Sequence, residues 1–214
     1  TFPNTTTDGE YTLTQGLYPD GTKDKYSSSM MASANNDLPY ALGNFFQREF
    51  GVKSFGYHNN VGNYYRRDLS HPNMGYAMKF NRDGMEFSCY WPTSDLEMME
   101  QSVDDYISEP QFHAYYMTFS GHYKYDTGLN PMAKRNWDAV KDLEGYSNPV
   151  KAYLACNIEL DKAMAYLMQH LEETGVADKT AIVLIGDHFP YGLDSDAPLG
   201  KMPYLSELYG YEVT

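Results

Sequence analysis

The chain has 214 residues, 42% of them hydrophobic, which suffices for one large α/β domain or part of one. Its formal net charge of −13 argues against nucleic acid and against an anionic membrane surface as electrostatic partners. An anionic substrate stays open, because a bound metal inverts the local field.

Residues 1–35 are rich in Thr, Ser, Asn, Asp and Gly and read as loop, with one short helix around Tyr11–Leu17. Asp37-Leu38-Pro39 looks like a helix start with Asp37 as N-cap; Leu42, Phe45, Phe46 and Phe50 form its apolar face and Gly51 its stop. Val52–His58 is expected as a short strand, and residues 59–92 as irregular chain. Asp95 is placed to cap a second helix carrying Leu96, Met99, Val103 and Ile107 at helical spacing. Gln111–Ser120 has the β-propensity of a strand and ends in Gly121-His122. Ser147-Asn148-Pro149 opens the clearest helix, with an apolar stripe from Val150 to Leu171 and Gly175 as its end. Thr180–Ile185 is a continuous apolar and β-branched run, expected as a buried strand, and Gly186-Asp187-His188 follows at its carboxyl edge. Strand and helix alternate, so the expected fold is α/β, a mixed, largely parallel sheet sandwiched by helices. No internal repeat or low-complexity linker divides it, and residues 1–214 read as a single, partial domain.

Cys89 and Cys156 match no zinc-ribbon or CxxC spacing, and two buried thiols are expected. The 21 tyrosines suit both amphipathic surface packing and hydroxyl-rich ligands. No run of about 18 apolar residues is present, so no membrane span or signal peptide is expected within the chain.

Asp187 and His188 are the first chemical candidates. Carboxylate oxygen and neutral imidazole nitrogen both donate to divalent metals, and the carboxyl edge of a parallel sheet is where ligands bind. His122 ends a second strand and would share that edge if both strands run parallel in one sheet; a surface histidine is the plain alternative. The Thr5–Glu10 loop offers hydroxyls beside acids. Thr7 and Glu10 also fit a capping box, and a threonine becomes a useful nucleophile only when a metal or base takes its proton. In His58–Asp68, Arg66 and Arg67 could fork a phosphate with Tyr and Asn beside them, or could simply pair with Asp68 at the surface.

Four segments in order, Thr-Thr-Asp-Gly-Glu-Tyr-Thr-Leu from Thr6, Tyr-Tyr-Arg-Arg-Asp from Tyr64, Phe-Ser-Gly-His-Tyr from Phe119 and Ile-Gly-Asp-His-Phe from Ile185, resemble the lipoteichoic acid synthase family. These are phosphoglycerol transferases of the sulfatase-like, alkaline-phosphatase superfamily, and the resemblance runs over roughly residues 1–195. It implies Thr6 as nucleophile and metal ligand, Asp187 and His188 as further metal ligands, and a divalent ion, Mn2+ first with Mg2+ or Zn2+ as alternatives. It implies substrate contacts from His122 and Arg67. Tyr65 stands where members often carry Trp, and Asn60 where an Asp contacts glycerol; these departures leave the headgroup open. The family's acidic ligand upstream of the nucleophile and its C-terminal strands have no counterpart in this chain, so the isolated polypeptide is expected to be inactive or weakly metal-binding.

The implied reaction moves a phosphoglycerol-type headgroup from a phospholipid to a polymer or glycolipid acceptor through a phospho-threonine. It would run at the extracellular face of a bacterial membrane that anchors the parent protein. A phosphodiesterase or phosphoethanolamine-type transferase on the same scaffold is the rival enzyme, and a catalytically silent extracellular binder of glycans or polyol phosphates the rival class. Neither cysteine lies in a Cys/Ser-x-Pro-x-Arg segment, which disfavours formylglycine-dependent sulfate-ester hydrolysis.

Overall fold

The computed structural model describes residues 5–19 and 28–213. The sequence expectations for residues 1–4 and 20–27 lie outside the described residues. The chain divides into two compact units, one of residues 1–86, 101–117 and 169–189, the other of residues 87–100, 118–168 and 190–214.

The first unit is built on a four-stranded, all-parallel sheet, which makes the fold α/β. Its strands are β1 (Ser54–His58), β2 (Tyr76–Asn81), β3 (Gly84–Met85) and β4 (His113–Met117), in the order β3-β2-β1-β4. Every residue of the central strand β1 is buried, as expected of a strand flanked on both edges in a covered sheet. Phe55 pairs in register with Ala77 on one side and Ala114 on the other. Around the sheet lie helices α1 (Thr6–Gln15), α2 (Ser29–Ser33), α3 (Leu42–Phe50) and α4 (Arg67–Asn73). Met30, Ala41, Met74, Tyr76 and Tyr115 form a buried core cluster that draws on helices, loop and strands alike.

Several expectations need correction. The first helix begins at Thr6 rather than Tyr11, and Thr5, not Thr7, caps it by accepting from the Asp8 N–H. Asp37 starts no helix: α3 begins at Leu42 behind Ala41, which has no side-chain cap, and Phe45 and Phe50 stay exposed. Residues 59–92 are not irregular, since they hold α4, β2 and β3. The strand at 111–120 is shorter, limited to His113–Met117. The largest correction is at Thr180–Ile185. Residues 181–186 belong to no strand, and Ile182, Val183, Leu184 and Ile185 are 39%, 76%, 69% and 52% exposed. An apolar run of this kind has the propensity for a buried strand, but burial needs a covering layer, and none of the described residues supplies one. Of the two strands expected to carry His122 and His188 to one sheet edge, only β4 is in the sheet.

The second unit holds α5 (Asp95–Glu100), α6 (Pro131–Arg135), α8 (Pro203–Tyr209) and most of the long helix α7 (Asn148–Glu173). Asn130 caps α6 by accepting from the Met132 and Ala133 N–H groups, and Met132 and Ala133 pack on Ala152 and Cys156 of α7. Glu159 of α7 is buried and held by Arg135, Asn136 and Ser94. Both cysteines are free thiols; Cys156 is buried, Cys89 partly exposed.

Candidate functional site

The first turn of α1 meets the segment after Ile185. Thr6 Oγ1 lies 3.2 Å from His188 Nε2, across 182 positions of sequence, and Asp187 Oδ2 lies 3.4 Å from the same nitrogen. The close approach has a cause in the chain: Gly9 faces the Asp187 backbone, and a Cβ there would stand 2.7 Å from Asp187 Cα. Two local hydrogen bonds fix the pair. The His188 N–H donates to Asp187 Oδ1 at 2.9 Å, and His188 Nδ1–H donates to the Phe189 carbonyl at 2.7 Å. With the proton held on Nδ1, Nε2 presents its lone pair toward Thr6.

This donor set suits a divalent ion. Donors about 2.1 Å from one tetrahedral ion sit about 3.4 Å apart. The Thr6–His188 and His188–Asp187 separations match that spacing, and hydroxyl, imidazole and carboxylate are all first-row metal ligands. Among the described residues, no group of three or more His, Cys, Asp or Glu side chains gathers to hold a metal, so the threonine is needed to complete even a three-donor set.

One turn after Thr6 on the same helix, Glu10 sits at the centre of a buried polar cluster. Its carboxylate accepts from Arg67 Nε at 3.0 Å and Nη2 at 2.8 Å, from His71 Nε2 at 3.0 Å and from the Tyr115 hydroxyl at 3.0 Å. Burial opposes the Glu10 charge, but Arg67 and His71 outweigh it and hold the carboxyl well below the usual carboxylate range. Arg67 is only 2% exposed, so it is not the surface arginine of the plain reading; Arg66 is, paired with Asp68 at 3.3 Å. Tyr65 and Arg66 both hold left-handed backbone (φ 58° each), a conformation that costs a non-glycine residue energy. That kink sets the Tyr65 ring 5.4 Å from the Arg67 guanidinium carbon.

At the carboxyl end of β1, His58, Asn59 and Asn60 are buried in succession. His58 Nδ1–H donates to the Met117 carbonyl at 2.8 Å, and burial, helped by the Arg67 charge, lowers the imidazole pKa to about 3. His58 is therefore neutral at physiological pH. Asn60 Oδ1 accepts from the Val61 N–H at 2.8 Å, whereas its buried Nδ2 has no partner among the described residues. Buried orphan donors are uncommon, and one at a sheet's carboxyl edge is suited to a ligand oxygen.

His122 lies in the second unit. Its Nδ1–H donates to the Tyr123 carbonyl at 2.9 Å and its ring meets Trp91 edge-on. The turn before it is pinned by Asp95, whose buried carboxylate accepts from the Phe119 and Ser120 N–H groups and from the Ser120 hydroxyl. Asp95 thus does more than begin a helix.

Within the first unit, then, Thr6 meets Asp187 and His188, and Arg67 carries Tyr65 beside it. Glu10, His58, His71 and Tyr115 were not singled out from sequence. Glu10 had one usable signal, its place four residues after Thr6 on a helix, which puts both on one face. The other three pair with partners too far apart in sequence for any local pattern to mark.

Comparison with known proteins gives the fold and the family. Lipoteichoic acid synthase-like YvgJ of Bacillus subtilis (strain 168) is 22% identical over 189 residues, covering 86% of this chain and 29% of that protein. Lipoteichoic acid synthase 1 of the same organism is 22% identical over 190 residues, covering 86% and 28%. The chain thus spans less than a third of the length of either relative. The crystal structure of the lipoteichoic acid synthase LtaP from Listeria monocytogenes superposes with a TM-score of 0.63 at 17% identity, over 80% of this chain and 41% of that one. The family model described as Sulfatase matches residues 3–213, and the chain belongs to the sulfatase family.

Proposed function

We propose that this chain is part of the catalytic domain of a phosphoglycerol transferase, in which Thr6 is the nucleophile. The observation that carries the reading is the 3.2 Å approach of Thr6 Oγ1 to His188 Nε2, with Asp187 alongside. The names of the relatives, lipoteichoic acid synthases, set the substrate class we infer: a phosphatidylglycerol-type donor lipid and a polyol-phosphate or glycolipid acceptor.

A divalent ion, Mn2+ first, would be held by Thr6, Asp187 and His188 and would supply Lewis acidity that eases loss of the threonine proton. Thr6 gives up its hydroxyl proton to solvent and its oxygen attacks the headgroup phosphorus. The Oγ1–P bond forms, the P–O bond to diacylglycerol breaks, and the departing oxygen takes a proton from solvent. An acceptor hydroxyl then gives its proton to solvent and attacks the same phosphorus; the acceptor O–P bond forms, the Oγ1–P bond breaks, and Thr6 Oγ1 takes a proton back from solvent. Arg67 balances charge on the phosphoryl oxygens. Asn60 Nδ2 and the Tyr65 ring receive the glycerol, and we assign His122 to the phosphate on its motif alone. We extend the proposal to location: the domain works at the extracellular face of a bacterial membrane. None of the described helices is long and apolar enough to cross a membrane.

The test is headgroup transfer from labelled phosphatidylglycerol, measured for wild type and Thr6→Ala in protein carrying this domain. Diacylglycerol release with labelled acceptor, lost in Thr6→Ala, supports the reading. Release of free glycerol phosphate instead makes the protein a hydrolase, and turnover by Thr6→Ala removes Thr6 as nucleophile.

A further inference from the structure

We propose that Glu10 is a positioning residue that aims Arg67 at the phosphate of the phosphoglycerol headgroup. The inference rests on the function proposed above and adds a residue to it.

A guanidinium has two hydrogen-bonding edges, one made by Nε with a neighbouring Nη and one made by the two Nη nitrogens. Glu10 takes the first edge, through Nε and Nη2. The second edge, with both Nη1 protons and the remaining Nη2 proton, has no partner among the described residues. A planar fork of this shape fits two oxygens of a phosphate. A side-on carboxylate therefore decides which way the open fork looks, because the guanidinium cannot rotate without breaking two charge-assisted bonds.

Glu10 is itself immobilised. His71 and Tyr115 occupy Oε1, and all four side chains are buried. Glu10 and Thr6 also share one face of α1, a single turn apart. The attacking oxygen and the arginine that would neutralise the phosphoryl group are thereby referenced to one rigid helix. A merely structural ion pair between α1 and α4 would need neither an open guanidinium edge nor this spacing from the nucleophile. Packing would serve as well, since buried ion pairs are often replaceable by apolar residues without loss of stability.

The experiment measures binding of glycerol 1-phosphate to the full chain by calorimetry, with folding checked by circular dichroism. Arg67→Met should weaken binding by about a hundredfold, leaving it measurable at high ligand concentration. Glu10→Gln should weaken it by about tenfold, the scale of one charge-assisted hydrogen bond. Glu10→Gln placed on Arg67→Met should cost nothing further, which a general structural role would not give. If Glu10→Gln does not fold, Tyr115→Phe, which removes one tether of the carboxylate, should weaken binding measurably. Wild-type affinity in folded Glu10→Gln, or in Tyr115→Phe when Glu10→Gln is unfolded, overturns the inference and leaves the proposed function standing. Equal binding by wild type and Arg67→Met also overturns it. Absence of binding by wild type removes the phosphoglycerol reading, and this inference with it.

Discussion

Gly9 and Asp187 are in backbone contact: a methyl group at Gly9 would collide with the Asp187 carbonyl oxygen and stand 2.9 Å from its carbonyl carbon. The helix that carries Thr6 can reach the Asp187–His188 segment only because this position has no side chain. Gly9→Val is expected to force the two apart, costing about 1–3 kcal/mol of stability as overpacking does. It should also depress phosphoglycerol transfer well beyond the loss explained by unfolding. Urea melts paired with turnover of the folded fraction measure both, and a fully active Gly9→Val protein would refute the contact.

The three-donor set predicts a metal dependence readable without turnover. Mn2+ binding, followed by electron paramagnetic resonance, should weaken by more than about tenfold in Asp187→Ala and in His188→Ala, since even outer-shell partners of a metal are worth that much. Affinity unchanged in both variants would move the metal elsewhere.

Two buried groups give the fold an acid-sensitive side. The folded-state pKa of Glu10 lies below its ordinary 4.5, so its stabilising contribution is complete above that value and is drawn away as pH falls below it. The pKa of His58 drops from 6.5 to about 3, so the unfolded chain binds a proton before the folded one does. Stability should therefore decline as pH falls from about 6.5 towards 3, both groups acting in the same direction. In Glu10→Gln the decline below pH 4.5 should be shallower. The imidazole resonances of His58 should stay in the neutral position from pH 8 to 4, and a midpoint near 6.5 would contradict its burial.

The exposed run from Ile182 to Ile185 carries no charge and no strand partner among the described residues. Such a stretch templates pairing between chains. The isolated chain is expected to self-associate through it, and Val183→Lys with Leu184→Thr should reduce light scattering at equal concentration while leaving the circular dichroism spectrum unchanged.

How far the sequence revealed the fold depended on where the stabilising contacts lie. β1 was legible because Val52–His58 is β-prone and bounded by Gly51 and by Asn59-Asn60. β2 was missed because Tyr76–Asn81 mixes Met and Lys into its faces, and its burial follows no clean alternation. At Thr180–Ile185 hydropathy reported a surface that wants covering, which is not the same as one that is covered. Thr6, Asp187 and His188 were singled out by motif order and by the chemistry of their side chains. Arg67 and the placing of Glu10 one turn from Thr6 were legible, but their meeting with His71 and Tyr115 was not, since the partners of Glu10 lie 57, 61 and 105 residues away and no local pattern records such a meeting.

Glu10 anchors α1 to α4 and β4 from inside the protein, so the helix that carries Thr6 is held one turn from that residue. Under the proposed reaction, donor and acceptor would visit that one point in turn, the first vacating before the second arrives. Movement in such a cycle would belong to the substrates, and the kinetics of the proposed transfer should alternate between two half-reactions rather than gather both substrates at once.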